Sequence, residues 1–136
     1  MEKIENWRKK WFASINELTS LELQQKSWLN KQNTNPHWSF IEFTECYFDD
    51  LFVNDNYTHA LNEGLINQQE YDVIKAWHEM LSEYVSPNED DYNHNSILND
   101  PNWIEVIELG LKMKKNLSEI INSEERLILE EKINVA

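Results

Sequence analysis

An all-α fold is what this chain predicts, and three observations predict it. Glycine occurs twice and proline three times in 136 residues, which is too few breakers for a turn-rich β architecture. Apolar residues recur at helical spacing through most of the length. Polar capping residues stand ahead of several of those runs. An apolar fraction of 40%, with six Trp, five Phe and five Tyr, is enough for one core and argues against a disordered acidic chain. The expectation is a single-domain irregular helical bundle of about five to seven helices over residues 1–136, with 1–35 as an N-terminal helical extension packing on the body.

The elements run in order along the chain. Ile4, Trp7, Trp11 or Phe12, Ile15 and Leu18 predict a helix over 2–17, with Arg8, Lys9 and Lys10 as its basic patch. A second helix over about 20–31 starts at Ser20 and carries Leu21, Leu23 and Trp28. The polar stretch QNTNPH is a linker. Asn35 as cap and Pro36 in the first turn predict a helix running to about Val53. Its apolar face holds Phe40, Phe43, Tyr47, Phe48 and Leu51, and Trp38 projects toward its acidic side. A short helix at 57–63 stops at Gly64. Asn67 and Glu70 form a capping box, with Ile66 and Tyr71 as the staple, for a helix to about Val85. Its buried stripe is Val73, Ile74, Trp77, Met80, Leu81 and Tyr84. Residues 86–99, SPNEDDYNHNSILN, predict a loop with one short turn. Asp100 and Pro101 start a helix that turns Trp103, Val106, Ile107, Gly110, Met113 and Leu117 inward, and Gly110 there implies close helix packing. A last helix, about 123–133, docks through Leu127 and Ile128.

Charge is the feature that bears on function. Residues 37–110 carry sixteen carboxylates and one cation, Lys75, while the rest of the chain is nearly balanced; the net charge of −13 belongs to the middle. The acids form ridges on successive helices: Glu42, Glu45 and Asp49, then Asp72, Glu79 and Glu83, then Glu105 and Glu108, with Asp90 and Asp91 in the loop between the last two. Such a field attracts a cationic partner and repels nucleic acid. No apolar run approaches a membrane span. The segment MEKIENWRKKWF has cations but neither a continuous apolar region nor a small-residue cleavage site, so a signal peptide is not expected and a cytoplasmic protein is.

Several chemistries lack their parts. Cys46 is the single cysteine, which rules out an internal disulfide and a thiolate zinc cluster. It lies among acids that raise a thiol pKa. No Gly-rich phosphate loop or nucleophile elbow is present. No histidine has a glutamate three residues before it, as a di-iron bundle requires. Asp91 and His94 make an Asp-x-x-His pair in a loop, and His78 borders the apolar stripe of its helix, where a packed, hydrogen-bonded histidine is expected. No cofactor is expected. Glu42, Glu45 and Asp49 are carboxylates at a spacing that suits a hard divalent cation. They resemble the helix carboxylate pairs with which all-helical nucleotide pyrophosphohydrolases hold magnesium, which implies a metal-dependent hydrolase as the alternative function.

The segments CYFDDLF at 46–52, EGLINQQE at 63–70, WHEMLSEY at 77–84 and DPNWIEVIELG at 100–110 resemble immunity proteins of contact-dependent inhibition and related polymorphic toxin systems. The resemblance covers about 36–118 and leaves out the first 35 residues and the last helix. It implies a non-enzymatic protein that binds and neutralises a cognate toxin domain, often a nuclease. It assigns no contact residue. The charge pattern supplies those: Asp49, Asp50, Asp72, Glu79, Glu83, Asp90 and Asp91 as the charged surface, with Trp38 and Tyr92 as aromatic anchors, facing a basic toxin domain and neither nucleic acid nor membrane.

Overall fold

The structure, a computed structural model, describes residues 2–32 and 34–134. Their regular secondary structure is helical, with no strand. The α-helices are α1 (Glu2–Leu18), α2 (Leu21–Trp28), α3 (Phe40–Glu45), α4 (Thr58–Asn62), α5 (Gln68–Glu83), α6 (His94–Leu98), α7 (Pro101–Ser118) and α8 (Ser123–Leu129). A π-helical turn, Cys46–Asp50, continues α3, and a 3₁₀ turn, Pro87–Glu89, comes after α5. The count exceeds expectation because residues 94–98 wind into α6: Asn93 caps Ser96 N, and Ile97 and Leu98 are buried. No helix among the described residues is long and apolar enough to cross a membrane.

Local chemistry explains most boundaries. The Asn67–Glu70 capping box opens α5 as expected, and a second box, Asn122 with Glu125, opens α8. Asp100 accepts from Asn102 N, with Pro101 in the first turn of α7. Gly64, at φ +71°, takes the left-handed position after α4 that a side chain disfavours. The segment after the linker departs from expectation. Asn35 Oδ1 accepts from His37 N and closes a local turn there. Ser39 then takes the cap, accepting from Glu42 N, so α3 starts at Phe40 rather than Pro36. Three other helices end earlier than expected: α2 at Trp28, α5 at Glu83 and α8 at Leu129.

Helix α1 packs against α2, α3, α7 and α8. Its Trp11, Phe12, Ile15 and Leu18 are completely buried, each stabilising the fold by about 1.5–3 kcal/mol through apolar burial. Residues 2–18 therefore build the core directly. Helices α5 and α7 form the other main pair, and the six residues of α7 expected to face inward are all buried. Gly110 permits a close approach of α7 to α5 and to the residue that follows α1: a Cβ there would lie 2.6 Å from Thr19 Cγ2 and 2.7 Å from Trp77 Nε1. Two apolar expectations are corrected. Met80 is 36% exposed at the edge of the α5 stripe, and Leu127 points to solvent while Leu129 takes the buried position in α8. The helical phase carries Leu129 inward, two residues on from Leu127.

Three of the cations are used internally. Arg8 binds Glu70 through both terminal nitrogens (2.9 and 2.6 Å), Glu125 through Nε (2.7 Å), and the Leu65 carbonyl. Arg126 donates to the carbonyls of Ser118 and Ile121 near the end of α7, and Lys114 donates to Asn16 Oδ1. These bonds tie the N- and C-terminal helices to the start of α5.

Candidate functional site: an acidic surface and the cleft beside it

Helix α5 sets out the surface. Its buried side, with Ile74, Trp77 and Leu81, forces Asp72, Glu79 and Glu83 outward, and all three are exposed. At the end of the helix the backbone turns out of helical conformation at Tyr84, whose hydroxyl donates to Asp100 Oδ2 at 2.8 Å. Ser86 Oγ then donates to Asp91 Oδ1 at 2.6 Å, and Asp90 Oδ1 accepts from Tyr92 N. These two bonds fold residues 86–92 into a compact acidic knuckle. Asp90 and Asp91 are exposed, and Tyr92 is 81% exposed at its tip. Val85, 62% exposed, and Met80 stand with Glu83, Glu105 and Asn102 around a groove of about 320 Å³ between α5 and α7. No ion pair among the described residues involves a carboxylate of 37–110 other than Glu70.

The structure thus brings Asp72, Glu79, Glu83, Asp90, Asp91 and Tyr92 onto α5 and its continuation. It divides the other expected residues. The π-turn widens the helix at 46–50 and rotates the next residues about the axis. Asp49 accepts from Asn54 Nδ2, whose side chain lines the cleft beside α5. Asp50 faces α1, with Lys10, Ser14, Glu17 and Cys46 around it. Trp38 is half-buried rather than projecting: its ring lies 6.1 Å from Phe43 and 5.2 Å from His37. Glu42, Glu45 and Asp49 do not converge, and no group of three or more His, Cys, Asp or Glu among the described residues is placed to hold a metal ion. Asp91 and His94 take different partners, Asp91 accepting from Ser86 Oγ and His94 meeting Trp28. His94 sits on the Trp28 ring and lies 3.3 Å from the Trp28 carbonyl.

Burial and neighbouring acids decide the unusual ionisations. Burial, with Asp50 second, pushes the Cys46 thiol up to about 11, so it is no thiolate at neutral pH. Burial raises the Glu17 carboxyl, against the opposing pull of His37, whose Nε2 lies 2.6 Å away. Burial lowers His78 to about 4, although Asp55 pulls the other way. The ring is therefore neutral. Its Nδ1 lies 2.7 Å from the Tyr47 hydroxyl, which lies 2.5 Å from the Tyr57 hydroxyl, which accepts from Trp11 Nε1 at 2.9 Å. Sequence reasoning places His78 as a packed histidine but misses this chain. The contributing residues are 11, 47, 57 and 78, and no local pattern announces a contact at that separation.

No family model, curated protein or solved structure matches this chain.

Proposed function

We propose that the protein is a stoichiometric binder that neutralises a basic protein, in the manner of an immunity protein acting on a toxin domain, with a nuclease as the first expectation. The observation that carries this is a set of outward carboxylates without a salt-bridged cation among the described residues, on α5 and the 86–92 knuckle, interspersed with exposed Met80, Val85 and Tyr92. Most of the chain's acids gain nothing from one another, since like charges on one helix face repel by a few tenths of a kcal/mol per pair. A cationic partner removes that cost. Apolar side chains among the charges supply the desolvated anchors that hold a complex, while the field speeds and selects the encounter. A nuclease grips phosphates with cations, and a carboxylate ridge competes for the same groups. Such a protein acts in the cytoplasm of the cell that makes the toxin.

The test is co-expression with the product of any toxin gene adjacent to the gene for this chain. Wild type is expected to restore growth, and a variant carrying Glu79→Gln, Glu83→Gln, Asp90→Asn and Asp91→Asn is expected to restore it poorly at equal abundance. Equal protection by both proteins, or none by either, would contradict the proposal.

A further inference from the structure

The cleft between α5 and residues 48–56 carries a feature that shares Glu79 with the charged surface but rests on buried hydrogen bonds. An indole N–H can only donate, so Trp11 donates to the Tyr57 oxygen. The Tyr57 proton then needs an acceptor, and the Tyr47 oxygen is the one beside it. The Tyr47 proton in turn goes to His78 Nδ1. The reverse polarity would leave the Tyr57 hydroxyl donating to nothing inside a closed core. The chain therefore fixes the neutral imidazole with its proton on Nε2.

That N–H is unused. His78 is 3% exposed, and Nε2 has no hydrogen-bond partner among the described residues. It is not among the sealed orphan atoms of the core, which are Ser14 Oγ, Trp28 Nε1, Asp55 Oδ1 and Trp77 Nε1. His78 instead lines a cavity of about 290 Å³ with Phe48, Asn54, Asn56, Glu79 and Ser82. Ser82 is spent on its own helix, donating to the Glu79 carbonyl, and Asn54 donates to Asp49. The cavity thus offers the His78 N–H as its fixed donor, the Glu79 carboxylate, the Asn56 amide and the Phe48 ring.

We propose that this cavity binds a primary carboxamide, its carbonyl oxygen accepting from His78 Nε2–H, its NH₂ donating to Glu79, and its plane against Phe48. Only a group with adjacent acceptor and donor satisfies both ends. A carboxylate would meet Glu79 and the field of Asp55, which reaches His78. An ammonium offers Nε2–H no acceptor. A trans secondary amide turns its N–H away from its carbonyl side and makes one bond of the two. The cavity is at or below the lower end of drug-sized pockets, about 300–1,000 Å³, and suits a single small group. A free small amide and a partner's Asn or Gln side chain present the same chemistry.

The experiment is ¹⁵N NMR of the His78 ring in the full chain, titrated with acetamide, N-methylacetamide, acetate and methylammonium. The expected result is a proton on Nε2 at neutral pH and a saturable shift with acetamide alone, with a Kd of about 10 mM for so small a ligand. Glu79→Ala, a surface change that leaves the fold intact, is expected to weaken acetamide about fivefold. The peptide Gly-Gln-Gly distinguishes the sources: saturation matching acetamide points to a side chain, and its failure beside acetamide binding points to a free amide. A proton on Nδ1, no saturation with acetamide, or equal saturation with N-methylacetamide would overturn the proposal.

Discussion

Glu70 and Glu79 stand on the same helix, nine residues apart, and the molecule treats them in opposite ways. Glu70 is 2% exposed, accepts both terminal nitrogens of Arg8, and caps Asn67 N as well. Glu79, like Glu83 four residues on, faces out with no cation paired to it. The difference lies in where the cations go. Arg8, Lys114 and Arg126 satisfy buried carboxylates, a side-chain amide and helix-end carbonyls, while the middle of the chain sets Lys75 alone against its acids. The charges of one end of α5 hold the fold, and those of the other end are available to a partner.

Breaking the buried half should have the largest effect. Arg8→Ala leaves Glu70 as a buried charge without its partner and frees Glu125. The expected loss is about 3–5 kcal/mol, read from urea unfolding. Arg8→Lys keeps the charge but cannot bridge both glutamates in the same geometry, so it recovers only part of the loss. A destabilisation below about 1 kcal/mol would mean that the node behaves as a surface pair and that the two ends of α5 do not differ. Gly110→Ala probes the packing that positions α5. The new methyl would meet Thr19 and Trp77, and overpacking of this kind costs about 1–3 kcal/mol.

These two positions also mark what the sequence makes legible. Helices α5 and α7 are readable because their signals are local: a capping box, an Asp-Pro start, and a stripe that repeats over several turns. Gly110 is readable because it interrupts that stripe. The stretch from Asn35 to Tyr57 is not. Asn35 and Ser39 compete to start the helix, and Ser39 wins because Asn35 is used within its own turn. Beyond Cys46 the chain is shaped by distant partners, with Trp7 Nε1 donating to the Leu51 carbonyl and Tyr47 bonded to Tyr57 and His78. Phe52, Asn56 and Tyr57 adopt positive φ there, a conformation with no composition signal when the residue is aromatic. The carboxylates are plain in the sequence. Which of them share a surface is not, because the π-turn sends Asp49 and Asp50 to different sides.

The next effect is smaller and depends on pH. The folded pKa of His78, about 4, lies below its ordinary 6.5. The unfolded chain therefore takes up the proton first as pH falls. The contribution of His78 is complete above about pH 6.5 and is lost progressively down to about pH 4, amounting to about 2 kcal/mol after allowance for solvent near the ring. Urea midpoints measured across that window should fall with pH, and His78→Gln should flatten this part of the profile. An unchanged slope in the variant would assign the pH dependence to other groups.

The smallest expected effect concerns the acids as metal ligands. Millimolar Mg²⁺ or Mn²⁺ should leave the Tm where it is, because Glu42, Glu45 and Asp49 do not converge. Binding to the folded state at a hundredfold excess over Kd would add about 2.7 kcal/mol. A stabilisation of that size, accompanied by hydrolysis of nucleoside triphosphates, would favour the hydrolase alternative over the binder.

The measurement closest to the central claim is the salt dependence of association between this protein and a cationic protein isolated with it from the native cell. It should be run in parallel on wild type and on the variant with Glu79, Glu83, Asp90 and Asp91 neutralised. The account predicts a wild-type association rate that falls at least about tenfold between low and high salt. It also predicts a slow, nearly salt-independent rate for the variant, whose Tm is unchanged. A rate indifferent to salt, or the same in both proteins, would contradict it.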